Sequence, residues 1–168
     1  MARRIVESAP TGETFVFDDD WIDAQGRTRQ IEYALRPGAR VPRHSHPGVA
    51  QLFEVLAGRL HVEVNGQVTV LGPGDRVATG AGETHAQWNE GPDPVQAIEG
   101  YDPPIAIEPF FTVLPHAVGS RNPLKMAVFF SDFREINLAA DAPLKLMIAL
   151  FNPLGRLLGL TGWYRGAR

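Results

Sequence analysis

The chain has 168 residues, a formal net charge of −3, 44% hydrophobic and 21% charged residues. This length and balance suit one domain with a sizeable core, and no basic block or stripe of the kind that tracks a phosphate backbone is present, so nucleic acid is not expected as a partner. With no cysteine, disulfides, thiolate metal ligands and a cysteine nucleophile are excluded.

The opening MARRIVESAPTGE carries two arginines but no apolar stretch behind them, so no export signal is read and the cytoplasm is the expected compartment. From about residue 13 to 101 the apolar pattern has a period of two. It begins with TFVFD, and in TRQIEYALRPG Ile31, Tyr33 and Leu35 fall on one side while Gln30, Glu32 and Ala34 fall on the other. AQLFEVLAG sets Gln51, Phe53 and Val55 against Leu52, Glu54 and Leu56. RLHVEVNGQVTVLGPGD holds two further strands around an Asn65-Gly66 hairpin turn. Many short strands at this spacing predict a sandwich or small barrel.

After Pro103-Pro104 the pattern changes. Residues 108–118 read as a short helix, and 122–136 as a second with Asn122 as cap and Pro123 at its first position. A third is expected over 142–151, with a break at Pro153 and a fourth short helix over 152–160. The predicted organisation is a barrel over 1–104 and a helical extension over 105–168, packed as one unit. The segment LKLMIALFNPLGRLLGLTGW has the length of a membrane span, but Lys145, Asn152, Pro153 and Arg156 interrupt it, so membrane contact is not expected. Basic Lys145, Arg156, Arg165 and Arg168, near Phe151 and Trp163, leave peripheral contact as a minor alternative.

Two of the five histidines, His44 and His46, stand at i and i+2, so both rings leave one face of an extended chain. Two imidazoles from one strand make half a metal site. Pro47-Gly48 turns the chain and resets the register, so Gln51 can face the same interior. GETHAQWN offers His85, with Gln87 and Asn89 on its own face. His61, beside Glu63, reads as an outer-face residue, and His116 as surface or interface. Tyr33, Phe53, Gln87 and Glu99 are candidate pocket residues and Trp88 a further one, although each is also what ordinary barrel packing needs. Glu32 and Glu99 are the nearest candidates for a general base.

These residues resemble the two metal-site motifs of the cupin superfamily. The first reads Gly38, His44-Ser45-His46, Gln51 and Gly58. The second reads Gly74, Gly80-Ala81-Gly82, His85 and Asn89. The resemblance covers roughly residues 30–101 and implies a mainly β chain, a double-stranded β-helix or jelly roll, with C-terminal helices added. By position it makes His44, His46, Gln51 and His85 the ligands of a divalent transition metal, Fe, Mn, Ni or Zn. Gly80 replaces the family's usual proline. Gln51 replaces its usual glutamate, so the ligand set brings no charge to the ion, and affinity should fall. The family implies chemistry of dioxygenase or lyase/isomerase type on a small, anionic organic molecule, and a homodimer. The alternatives from other classes are a ligand-holding sensor or storage protein without turnover, and an interaction protein that docks a partner or membrane through its tail.

Overall fold

A computed structural model describes residues 2–166 of the chain, so Arg168 of the basic set above lies outside the described residues. Eleven strands and three α-helices follow one another with short connections. The strands are β1 (Arg3–Ser8), β2 (Glu13–Asp18), β3 (Thr28–Leu35), β4 (Arg40–Ser45), β5 (Ala50–Ala57) and β6 (Leu60–Val64), followed by β7 (Gln67–Leu71), β8 (Arg76–Thr79), β9 (His85–Trp88), β10 (Val95–Ile105) and β11 (Leu138–Ala139). The helices are α1 (Glu108–Gly119), α2 (Pro123–Asp132) and α3 (Ala142–Leu157).

Two antiparallel sheets face each other, in the orders β1-β2-β3-β10-β5-β8 and β11-β4-β9-β6-β7. The fold is the mainly β double-stranded β-helix with helices added at its C-terminal end. Its interior is set by the period of two. On β2 Glu13, Phe15 and Phe17 point inward, on β3 Ile31, Tyr33 and Leu35, and on β5 Gln51, Phe53 and Val55. The outward partners on these strands are exposed or half-buried, because a residue on a pleated strand alternates faces. The β6–β7 hairpin turns on Asn65 and Gly66, at φ 48° and 88°, the two left-handed residues that such a two-residue turn requires. Gly58 combines φ 81° with a close approach in which a Cβ would lie 2.8 Å from the Pro94 carbonyl. A side chain there would both strain the backbone and push β5 off the chain entering β10.

The tail is bound to the barrel by ring stacking and by strand pairing, and its helices pack on one another. Phe111 of α1 stacks on Phe15 of β2 with ring centroids 3.8 Å apart, a contact worth about 1 kcal/mol beyond its burial. Phe110 stacks on Phe129 of α2 at 5.2 Å. The short β11 adds an edge to the second sheet, pairing Ala139 with His44 and Leu138 with Ser45. Asn122 caps α2, its Oδ1 accepting from the backbone N–H groups of Leu124 and Lys125 at 3.0 and 3.2 Å.

Two helix expectations need correcting. Helix α2 ends at Asp132, four residues earlier than the pattern to 136 implied. The expected break at Pro153 does not occur, and α3 runs through it to Leu157. Proline removes one N–H, but contacts on both sides of it hold the helix. Gly155 packs so closely on α2 that a Cβ would meet Val128 at 2.8 Å. Arg156 donates to Asn152 Oδ1 and pairs with Asp132. Tertiary packing therefore outweighs the local cost of one missing bond. No helix among the described residues is long and apolar enough to cross a membrane.

Candidate metal centre and ligand cavity

The register of β4 against β9 sets His44 directly opposite His85. His46 follows two residues later, just past the end of β4, and the three rings converge. Ring centroids are 4.3 Å apart for His44 and His85, 5.0 Å for His44 and His46, and 5.3 Å for His46 and His85. One nitrogen from each ring lies within 4.8 Å of the others. All three residues are buried.

Each ring is aimed by its Nδ1. His44 Nδ1 is 2.9 Å from the Pro42 carbonyl, His85 Nδ1 is 3.0 Å from that of Glu83, and His46 Nδ1 is 2.6 Å from that of Ile136. A carbonyl only accepts, so each Nδ1 carries the proton and each Nε2 keeps a free lone pair. His46 Nε2 and His85 Nε2 are buried with no hydrogen-bond partner among the described residues. Unpaired buried acceptors are costly, and a shared cation is the natural partner for a set of them. The charge state agrees. Burial holds the His44 imidazole well below its ordinary range, with the neighbouring imidazoles adding to the effect. His85 is pushed down to about 4, again mainly by burial. Burial also lowers His46, while the Ile136 carbonyl and the Gln51 amide oppose that shift. The rings are therefore neutral near pH 7, the form in which imidazole binds a metal.

Gln51 comes from β5 on the opposite sheet and is 1% exposed. Its Nε2 donates to Glu99 Oε1 on the neighbouring β10, where Tyr101 Oη also donates at 2.6 Å. With its N–H group engaged there, the amide is fixed in orientation and Oε1 is left buried, with no hydrogen-bond partner among the described residues. A neutral oxygen donor thus stands beside the imidazoles, its orientation set by Glu99. The residues present fit a metal ion of the class that takes nitrogen and oxygen ligands.

A cavity of about 750 Å³ opens from this centre. His44, His46, Gln87, Glu99, Glu13 and the arginines of β4 and its approach line it on the barrel side, and side chains of α1, α2 and α3 face them from the tail. Gln87 Oε1 is buried there with no hydrogen-bond partner among the described residues. Of the other predicted pocket residues, Tyr33 and Phe53 belong to the barrel core rather than to the cavity wall. They point inward as parity demands, but neighbouring side chains cover them. Trp88 is turned away from the cavity. It stacks against His61 at 5.4 Å, lies under the Arg40 guanidinium and donates to Glu90. His61 thus sits on the outer face, half-covered by this stack rather than freely solvated. Glu32 also faces outward and pairs with Arg3 at 2.5 Å, which removes it as a base.

Glu13 is a site residue that the sequence reading passed over. It is 5% exposed, lines the cavity and accepts from Tyr33 Oη at 3.4 Å. Burial raises its carboxyl to about 7, with the nearby Glu99 carboxyl adding to the rise. Glu99 is raised to about 7 by burial as well, against the lowering effect of its bonds from Tyr101 and Gln51. A signal for Glu13 was present in ETFVFD, where it shares the parity of Phe15 and Phe17. The Ile136 carbonyl that aims His46 had no sequence signal, since it lies 90 residues away in an irregular stretch of the tail.

Residues 31–101 match the cupin domain family. With the double-stranded β-helix already described, this identifies residues 31–101 as a segment similar to the cupin domain, the helical tail lying outside the matched segment. Over 80 residues the chain is 32% identical to mannose-1-phosphate guanylyltransferase ManC of Salmonella typhimurium (strain LT2), which is 48% of this chain but only 17% of that protein. An RmlC-like cupin from Shewanella frigidimarina superposes with a TM-score of 0.50 at 22% identity, over 64% of this chain and 88% of that one. A Klebsiella pneumoniae protein with a double-stranded β-helix domain gives a TM-score of 0.41 at 22% identity, over 60% and 74% of the two chains. At such identities the structural likeness speaks to the fold alone.

Proposed function

We propose that this chain is a metal-binding cupin that acts on a small organic anion, with His44, His46 and His85 as nitrogen ligands and Gln51 Oε1 as the oxygen ligand. The observation that carries this reading is the convergence of three neutral imidazoles whose Nδ1 atoms are all tied to backbone carbonyls. Fe²⁺, Mn²⁺, Ni²⁺ or Zn²⁺ bound there would supply Lewis acidity to a ligand oxygen, which suits either dioxygenase or lyase/isomerase chemistry.

The chain's own groups divide the remaining work. Glu99 fixes the Gln51 amide, so that the oxygen rather than the N–H group faces the centre. Gln87 Oε1 offers an acceptor to a donor on the bound molecule. Glu13, with a carboxyl near 7 on the cavity wall, is placed to take or give a proton at neutral pH. A ligand carrier without turnover would use the same cavity, and turnover assays on metal-loaded protein separate it from the enzyme. The expected homodimer and cytoplasmic location belong to the same reading, and light scattering on the purified chain tests the first.

Metal analysis of protein purified without chelator tests the reading. Close to one transition-metal ion per chain, lost in His85→Ala, is the expected result. Failure to bind any of the four ions when each is supplied in turn removes the metal-dependent reading and leaves the carrier.

A further inference from the structure

We propose that the cavity takes an amphipathic carboxylate, its oxygens toward His44 and His46 and an apolar body of several carbons lying under the helical cap. This deepens the proposed function and rests on it only for where the ligand's oxygens sit.

Three observations converge on this class. The cavity is continuous from the imidazoles to the tail, and at about 750 Å³ it lies within the ~300–1,000 Å³ range of sites that enclose a drug-sized molecule. A two- or three-carbon acid would leave most of it unfilled. The second observation is the chemistry of the far wall. Phe110, Leu114 and Val118 of α1 and Met126 and Phe130 of α2 face the cavity there, and none of them can satisfy a hydroxyl group. Asn137 and Asp141 also line the cavity from the tail, but along these five side chains a polyhydroxylated ligand such as a sugar would lose its water without gaining a partner, whereas a hydrocarbon body gains by leaving water.

The third observation is charge. Three arginines line the cavity, and two are already engaged, Arg40 over the Trp88 ring at 4.2 Å and Arg43 with Glu63 at 2.6 Å. Arg36 has neither an ion pair nor a side-chain hydrogen bond among the described residues. Arg40 also lacks an ion-pair partner, and Glu13, Glu99 and Asp141 line the same cavity, so the cavity's positive charge is largely offset and a ligand with one anionic group fits better than a polyanion.

The test is calorimetric titration of the full chain with straight-chain carboxylates from acetate to octanoate, with gluconate as the hydroxylated control and metal content measured on the same samples. Affinity should tighten about fourfold per added methylene, a factor that corresponds to about 0.8 kcal/mol for each one buried. Gluconate should bind no better than acetate. Met126→Glu places a charge on the half-buried far wall, and it should flatten the series, with acetate, the shortest member, the least affected. Phe130→Gln makes the same check if that variant melts early. Arg36→Gln should weaken every member by a similar factor. A flat series in the native chain, gluconate binding more tightly than octanoate, or a slope that survives Met126→Glu overturns the proposal. A slope without bound metal supports this inference while removing the metal reading. Bound metal without a slope removes the inference alone.

Discussion

The barrel wall and the helical cap enclose one cavity but are built by different rules. On the barrel side, strand register decides everything: His44 faces His85 across β4 and β9, and Gln51 and Glu99 reach inward because they share the parity of buried neighbours. On the cap side the wall is mostly apolar because amphipathic helices bury apolar faces, with Asn137 and Asp141 of the tail as its polar lining residues. Chemistry is thus confined to the rigid β framework, while the helices set shape and exclude water. The division is not complete, because the tail also reaches into the centre through the Ile136 carbonyl on His46 Nδ1 and the pairing of Ala139 with His44.

Removing a group from the barrel side should cost most in metal binding and little in shape. His85→Ala deletes one of the three nitrogen donors, and chelator-competition titration should find metal affinity lower by several orders of magnitude, with the melting temperature of the metal-free protein within a few degrees of native. Retained affinity would mean that the imidazoles are not the site. The mirror experiment is on the cap side. Phe111→Ala removes the ring stacked on Phe15 and should destabilise the chain by about 3–5 kcal/mol, read as a fall of roughly 10 °C in melting temperature. If the two regions melt as one unit, fluorescence from the barrel and from the cap should fall together in this variant. Separate transitions would make the tail an independent lobe.

Glu99→Gln probes a group that acts through another. It leaves the imidazoles in place but removes the carboxylate that fixes the Gln51 amide. Partners of this kind commonly hold about 10–100-fold of metal affinity, and a loss in that range is expected, again by chelator competition. An unchanged affinity would show that Gln51 is not a ligand, or that its orientation does not depend on Glu99.

The contrast also explains what could be read from the chain in advance. Alternation in 13–101 carries the inside-outside pattern of a barrel directly, because a strand has a period of two and each pocket residue is local to its strand. The pair His44 and His46 was legible for the same reason, whereas His85 joined them only through the resemblance to the cupin motifs. Glu13 obeyed that parity but was missed, since a carboxylate at an inward position reads as a register error until its partners Tyr33 and Glu99 are known. Tyr33 and Phe53 had the right parity and the wrong role, because parity gives the face and not what covers it. In the tail, local signals were weaker than packing. Pro153 is a strong breaker, yet the fit of Gly155 against Val128 and the bonds of Arg156 carry α3 through it.

The smallest expected effect sits where the two walls meet, at Glu13. Its folded-state carboxyl is raised to about 7 from an ordinary value near 4.5. Below about pH 4.5 the group is protonated whether the chain is folded or not, and its contribution to stability is intact. Between that point and about pH 7 the unfolded chain ionises while the folded one resists, so stability drains away as pH rises. The imidazoles act in the opposite sense. Their depressed values make the fold lose stability as pH falls from about 6.5 toward the 4 of His85. Glu13→Gln removes Glu13's share of the first trend and leaves the share of Glu99, whose carboxyl is likewise raised to about 7, together with the second trend. In melting curves of the metal-free protein, the variant should therefore be a few degrees more stable than native at pH 8, with the gain shrinking steadily toward pH 5. A gain that is the same at both ends of that range would mean that Glu13 is ionised in the fold at every pH, which would leave the cavity wall without a group poised to exchange a proton near neutrality.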